Sequence, residues 1–292
     1  ASITDASATK PYVIKIAPGT YTETANVEMK NYVDVEGSGQ DVTTIECACS
    51  NGNNATAAVI SAGEITAEIR HLTINNTGGG VNSIGLFTED VDAFSMLHVT
   101  ATAGGSDNNS GVKNYLVSSA IMNNVTATAT GGTNARGVDN ENSSPTMNNV
   151  TATATDGTEN IGVRNGGPFA STMMNNVTAT ATGGTENSGV YNNSSSPNIS
   201  TPTMNNVTAT GTGGTKNYGV TNNGSSTTIR NSLITGDTNS IRNLTYGSAK
   251  IANTTLDGTA INNSSGDDSV GFVFACAAVN DANFDELNEV CQ

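Results

Sequence analysis

Met122-Asn-Asn-Val-Thr-Ala-Thr-Ala-Thr-Gly-Gly-Thr133 returns almost unchanged at Met147 to Thr158, Met174 to Thr185 and Met204 to Thr215. A Gly-Val-x-Asn segment follows each copy. The Val after the Asn pair falls at Val99, Val125, Val150, Val177 and Val207, in steps of 26, 25, 27 and 30 residues. Within a copy Val125, Ala127 and Ala129 alternate with Thr126, Thr128 and Thr130, the period of two that marks a strand, and no helical stripe competes with it. Thr-Gly-Gly-Thr and Asn-Ser-Ser-Pro are turn chemistry. Short strands, three to a repeat, bury no face by themselves, but they do when each repeat forms one coil stacked on the last. The expected fold class is all-β: a single-domain parallel β-helix of nine or ten coils, set about 4.8 Å apart.

Composition agrees with that economy. Apolar residues make up 35% of the 292 and charged residues 13%, too little for an ordinary globular core of this size. A narrow coil interior needs less, and the small columns Val138, Val163, Val190, Val220 and Ala127, Ala152, Ala179, Ala209 are its expected lining. With 11 Lys+Arg against 26 Asp+Glu, the net charge of −15 argues against a nucleic-acid partner. No apolar run approaches the roughly 18 residues of a membrane span.

Stacking places each residue over its counterpart one coil away, so columns of identical residues test the fold. Two Asn columns are expected, Asn124, Asn149, Asn176, Asn206 and Asn114, Asn140, Asn165, Asn192, Asn222, Asn243, Asn263. An amide offers two donors and an acceptor, so such a column bonds along the axis. The ladder Asn are expected to be buried, and the sequons at Asn124, Asn149, Asn176, Asn206 and Asn243 closed to glycosylation. His71 and His98 fall in the first column as ladder members, since no Cys or carboxylate stands at metal-ligand spacing around them. Matching Ile229-Arg-Asn-Ser-Leu233 to Met204-Asn-Asn-Val requires a one-residue shift, which inverts the inward set at that coil.

Tyr12-Val-Ile-Lys-Ile-Ala-Pro-Gly-Thr-Tyr-Thr-Glu23, Asn31-Tyr-Val-Asp-Val-Glu-Gly-Ser-Gly39 and Thr43-Thr-Ile45 resemble the opening coils of right-handed parallel β-helix proteins of the pectin lyase-like superfamily, closest to the pectinesterase-like branch. The resemblance implies a right-handed helix. It also implies an amphipathic cap before the first coil, for which the polar Ala1-Ser-Ile-Thr-Asp-Ala-Ser7 is too short, so an open first coil is expected. A pectinesterase-type enzyme needs a Gln-rich coil, a paired Asp nucleophile and acid, and an Arg in a Gly-Arg-Pro-Trp context. The chain has no Trp and no Gln between Gln40 and Gln292. Lyases of the superfamily cluster Asp around calcium beside a basic residue, whereas the carboxylates here are scattered. Catalytic residues, cofactors and metals are therefore not expected.

Two surfaces remain. The position after Gly-Val varies while its neighbours stay constant: Phe87, Lys113, Asp139, Arg164, Tyr191, Thr221, Arg242. Lys113, Asp139, Arg164, Tyr191 and Arg242 form either a polysaccharide-binding strip of charges and an aromatic platform, or a solvated face with Asp139 and Arg164 paired between coils. The second surface is the Thr array from Thr126, Thr128 and Thr130 to Thr208, Thr210 and Thr212. It resembles ice-binding faces, although Thr is also an ordinary outward residue on a parallel sheet.

The cysteines lie at the ends. Cys276 and Cys291 bracket a stripe of Phe284, Leu287 and Val290, read as a disulfide-stapled capping helix, which divides the chain into a β-helix at 1–275 and a cap at 276–292. Cys47 and Cys49, about 6.7 Å apart if they stay in one strand, are left as paired, reduced or bonded to a partner. These features make the expected protein secreted or at the cell surface, non-catalytic, and structural or adhesive, with end-to-end self-association or polysaccharide as partners. A carbohydrate-active role is the alternative, and ice binding through the Thr array a further one.

Overall fold

The computed structural model describes residues 3–49, 56–168, 170–194, 200–259 and 261–262, with the backbone alone at 275–281. Among the described residues all regular structure is strand, and every strand pairing is parallel, as a solenoid requires.

The repeat that opens at Ile121 sets the plan. Ile121–Thr130 carries the first two faces of the coil, bent at Asn124, and Asn134–Glu141 carries the third. The bend is a left-handed residue, φ 54° at Asn124, recurring at Asn149, Asn176 and Asn206 with φ of 53°, 54° and 55°. Asn tolerates that conformation better than any residue but Gly. The Thr-Gly-Gly-Thr turn between the second and third faces uses φ of 75° and 78° at Gly131 and Gly132. Differences in repeat length fall outside the strands. The strands end at Glu141, Gly166 and Asn193 and resume at Thr146, Met173 and Thr203, and the register is unbroken from coil to coil.

The interior is as narrow as the composition demands. Val138, Val163, Val190, Val220 and Ala127, Ala152, Ala179, Ala209 are fully buried, joined by a column of Met96, Met122, Met147, Met174 and Met204. Third and second faces meet where the Gly of Gly-Val points inward: a Cβ on Gly162 would lie 2.6 Å from Gly189 O and 2.7 Å from Thr180 N.

Buried amides run beside the Met column. Asn114 Nδ2 donates to Asn140 Oδ1 at 2.8 Å, Asn140 to Asn165 at 2.9 Å, Asn165 to Asn192 at 2.7 Å, Asn192 to Asn222 at 2.9 Å and Asn222 to Asn243 at 2.9 Å. Asn263, expected next, lies outside the described residues. A third column, not expected, closes the turns: Asn160 Nδ2 donates to Asn187 Oδ1 at 2.9 Å and Asn187 to Asn217 at 2.8 Å, while each Oδ1 accepts the backbone N–H three residues upstream.

Three expectations change here. The column Asn124, Asn149, Asn176, Asn206 forms a ladder, with Asn149 donating to Asn124 at 3.2 Å and Asn176 to Asn149 at 3.1 Å, but it stands at an outer corner and is solvent-facing. The left-handed bend turns these side chains outward, so their sequons are not closed by burial; Asn243 is buried as expected. His71 and His98 continue this corner with φ of 56° and 52° and rings stacked 5.2 Å apart. Among the described residues no group of three His, Cys, Asp or Glu could hold a metal ion.

At the sixth coil no shift occurs. Ile229 lies on Met204 and Leu233 on Thr208, which leaves Ser232 in the place of Val207. The hydroxyl is satisfied, donating to Arg230 O at 2.6 Å and accepting from Val207 N at 3.0 Å, while Leu233 points out at 41% exposure. Local bonding thus removes the penalty that argued for a shift.

Cys47 and Cys49 are paired, because the strand Thr43–Cys47 ends at the first of them and the turn brings their Cα atoms to 5.2 Å. Ala275–Asp281 is a strand stacked on Ser248–Asp257. The expected Cys276–Cys291 bridge and capping helix lie outside the described residues. At the other end the strands Tyr12–Lys15, Gly19–Glu23 and Val27–Glu28 terminate their sheets, beside an apolar recess of 490 Å³ lined by Ile14, Ile16, Tyr21, Val27, Val35 and Ile45.

The corner amides give a modest test. Asn149→Ala puts a Cβ-bearing residue without a local hydrogen bond at φ 53° and should cost about 1 kcal/mol, whereas Asn149→Gly should be near neutral in a thermal melt. An equal loss for both would mean that the amide chain, not the backbone angle, is what the position needs.

Candidate functional site

The outward side of the third face carries two central columns. One is Ile84, Ser110, Arg136, Ile161, Ser188, Tyr218; the other is Phe87, Lys113, Asp139, Arg164, Tyr191, Thr221, Arg242. The second is the strip expected from sequence, with each member directly on the next. It is not a solvated face. Phe87, Lys113, Asp139 and Thr221 are buried and Arg164, Tyr191 and Arg242 half-buried. In register on either side of the two columns stand Asn82, Asn108, Asn134, Glu159 and Glu186 at the start of the strands and Tyr115, Glu141 and Asn193 at their ends.

Asp139 is the electrostatic centre. Its Oδ1 lies 2.8 Å from Arg164 Nη1 and its Oδ2 3.3 Å from Arg136 Nη1. Burial alone pushes this carboxyl up, but Arg136, Arg164 and Lys113 together outweigh it and hold it well below the usual carboxylate range. Arg164 is correspondingly raised, first by Asp139, against the opposing effect of burial. Lys113 pairs with Glu141 Oε2 at 3.0 Å and sits 5.3 Å from the Tyr115 ring centre, which packs 6.2 Å from Phe87. Farther along, Arg242 pairs with Glu186 at 3.1 Å and covers the Tyr218 ring at 4.6 Å; burial raises the Tyr218 hydroxyl. A polar cleft of 160 Å³ opens beside Asp139, lined by Asn82, Ile84, Asn108, Ser110, Lys113 and Arg136.

The structure therefore gathers Lys113, Asp139 and Arg164 into one linked group, sets Tyr191 on Arg164, and holds Arg242 in a separate cluster two coils beyond Tyr191. Sequence reasoning missed Arg136, because residues three apart on a regular strand face opposite sides. The irregularity at Gly137-Val138, where the Gly137 position faces the second-face backbone and the Val138 side chain is buried, puts Arg136 and Asp139 on the same side. It also missed Gly166, whose absent Cβ makes room for the Arg164 guanidinium: a Cβ there would lie 2.7 Å from Arg164 Cζ.

No family model matches the chain, and no curated protein matches it. Solved structures do. The A-module of an Azotobacter vinelandii mannuronan C-5 epimerase superposes with a TM-score of 0.52 at 14% identity, covering 94% of this chain and 86% of that one. The Dettilon tailspike protein gives 0.53 at 12% identity, covering 94% and 62%. The fold is that of a right-handed parallel β-helix, as in these structures. At such identity the likeness reaches the fold alone.

Proposed function

We propose that this β-helix is a non-catalytic carbohydrate-binding protein, structural or adhesive in role, that holds a polysaccharide along the outward strip of its third face. The observation that carries the reading is the strip itself. Within repeats that are otherwise near copies, chemical variety is concentrated in the two central outward columns of the third face, and the second of them presents half-buried Arg164, Tyr191 and Arg242. A linear sugar polymer lying along the axis would meet hydrogen-bond donors, acceptors and a ring in succession.

Acid–base chemistry on a glycosidic bond needs one carboxyl kept protonated near neutral pH. Asp139 is displaced in the opposite direction by its cations, which supports binding without turnover. The Cys47–Cys49 disulfide supports an oxidising, extracellular setting, and no helix among the described residues is long and apolar enough to cross a membrane. Mannuronan, named for the epimerase module, is a polysaccharide and belongs in any test panel.

In affinity electrophoresis against acidic and neutral polysaccharides, one class should retard the protein, and Arg164→Ala and Tyr191→Ala should each weaken binding by about tenfold, equivalent to about 1.4 kcal/mol. Release of methanol, unsaturated sugar or reducing ends, abolished by Asp139→Asn, would replace binding with catalysis. Retardation unchanged in both variants would remove the strip as the site.

A further inference from the structure

The second face presents an outward lattice of Thr that the sugar-binding reading does not use. Thr126, Thr151, Thr178 and Thr208 stand on one another in register, as do Thr128, Thr153, Thr180 and Thr210, and then Thr130, Thr155, Thr182 and Thr212. All twelve are exposed or half-exposed, and none of their hydroxyls bonds to another described residue. Thr100 and Thr102, the latter with its hydroxyl already bonded to Asn75 at 2.7 Å, continue the first two ranks on one side, while on the other Leu233 ends the first rank and Thr235 continues the second. No charged or aromatic side chain interrupts it.

The second and third faces differ between the repeats. In these coils the outward column of the third face has become Asp139, Arg164, Tyr191 and Thr221, while the outward positions of the second face remain Thr in every copy. β-propensity alone does not require this, since Val, Ile or Tyr would serve a strand equally well. The first face keeps an outward column of Asn123, Asn148, Asn175 and Asn205 in the same copies, so what sets the second face apart is its chemistry, a hydroxyl and a methyl at every outward position.

We propose that this face binds ice. The Thr groups repeat about 4.8 Å apart from coil to coil and about 6.6 Å apart along the strand, on a backbone fixed by the sheet. Their β-branched side chains have few rotamers, so the hydroxyls and methyls are ordered before contact. With no charge to dominate the hydration shell, the lattice imposes its own two-dimensional spacing on the adjacent water. A partner that matches a rigid two-dimensional grid is itself periodic. Between crystalline water and a crystalline polysaccharide, the absence of any ring for a sugar to stack on favours water.

The test is adsorption to a growing single ice crystal, together with crystal shaping and thermal hysteresis. The wild-type protein should adsorb and shape the crystal. Thr153→Lys combined with Thr180→Lys should abolish both effects while the far-ultraviolet spectrum stays native, and Lys250→Ala, at an exposed position on the first face, should leave them intact. If the double variant does not fold, Thr153→Lys alone, at the middle of the lattice, should still lose shaping. The proposal is overturned if the wild-type protein neither adsorbs nor shapes ice, or if a folded Lys variant keeps the effect. It is equally overturned if the Thr face instead mediates adhesion to crystalline cellulose or chitin that the Lys variants remove.

Discussion

Asp139→Asn should lower the free energy of unfolding by about 3 kcal/mol at neutral pH, since removing one partner of a buried ion pair leaves charge uncompensated. The figure sits at the low end of the range for such losses because Arg136 and Arg164 keep 21% and 18% of their side-chain surface and can rehydrate in part. The pH dependence identifies the cause. The folded-state pKa of Asp139 is held below its unfolded value, near 3.9. Its contribution is therefore complete above that unfolded value and is lost as pH falls through the folded one. In urea titrations the gap between wild type and variant should be constant from pH 7 to about 5 and should close as pH drops below about 4. Subtracting the two curves cancels the other carboxylates. A gap that persists unchanged at pH 3 would mean that Asp139 acts through shape or packing and not through its charge.

The same residue marks how far the sequence could be read. The coil, its period and its inward columns were legible because they depend on alternation and on identity between repeats, which a linear text displays. The pairing of Asp139 with Arg164 was legible too, since it follows from register alone. The burial of that pair was not. Whether an outward column is exposed or covered depends on the side chains of the columns beside it, and these are not periodic in sequence. Arg136 and Gly166 were hidden for a related reason: their roles arise from an irregularity at Gly137-Val138 and from space that Arg164 fills. The corner amides misled in the other direction. Asn124 and Asn140 look alike as columns, but one repeats at a left-handed bend that faces water and the other within a strand that faces the core, and only backbone angles separate them. At Ser232 the apolar pattern suggested a slipped register, because a hydroxyl bonded to its own strand and the next substitutes for Val207 without disturbing the stack.

Asn165→Ala should be the most damaging truncation among the ladder residues, at about 4 kcal/mol, because it strips partners from three groups at once and each buried polar group left unpaired costs about 1–3 kcal/mol. Asn165 is fully buried. Its Oδ1 accepts from Asn140 Nδ2 at 2.9 Å and from Thr172 Oγ1 at 2.7 Å, and its Nδ2 donates to Asn192 Oδ1 at 2.7 Å. Asn140 keeps only a long contact to Thr172 and a weak one to the Met147 sulfur, at 3.4 and 3.9 Å. No water replaces the amide in an interior lined by Val and Met. The damage should also spread along the axis, since each coil is stabilised mainly by its neighbours. Hydrogen exchange should therefore accelerate in Asn134–Glu141 and Glu186–Asn193 as well as in Glu159–Gly166, the strands on either side and the mutated one. Asn149→Ala is the matched comparison, with the same chemical change in an exposed ladder that water can re-satisfy. Equal losses for the two variants, or protection lost only within the mutated coil, would show that the buried amides are not what couples one winding to the next.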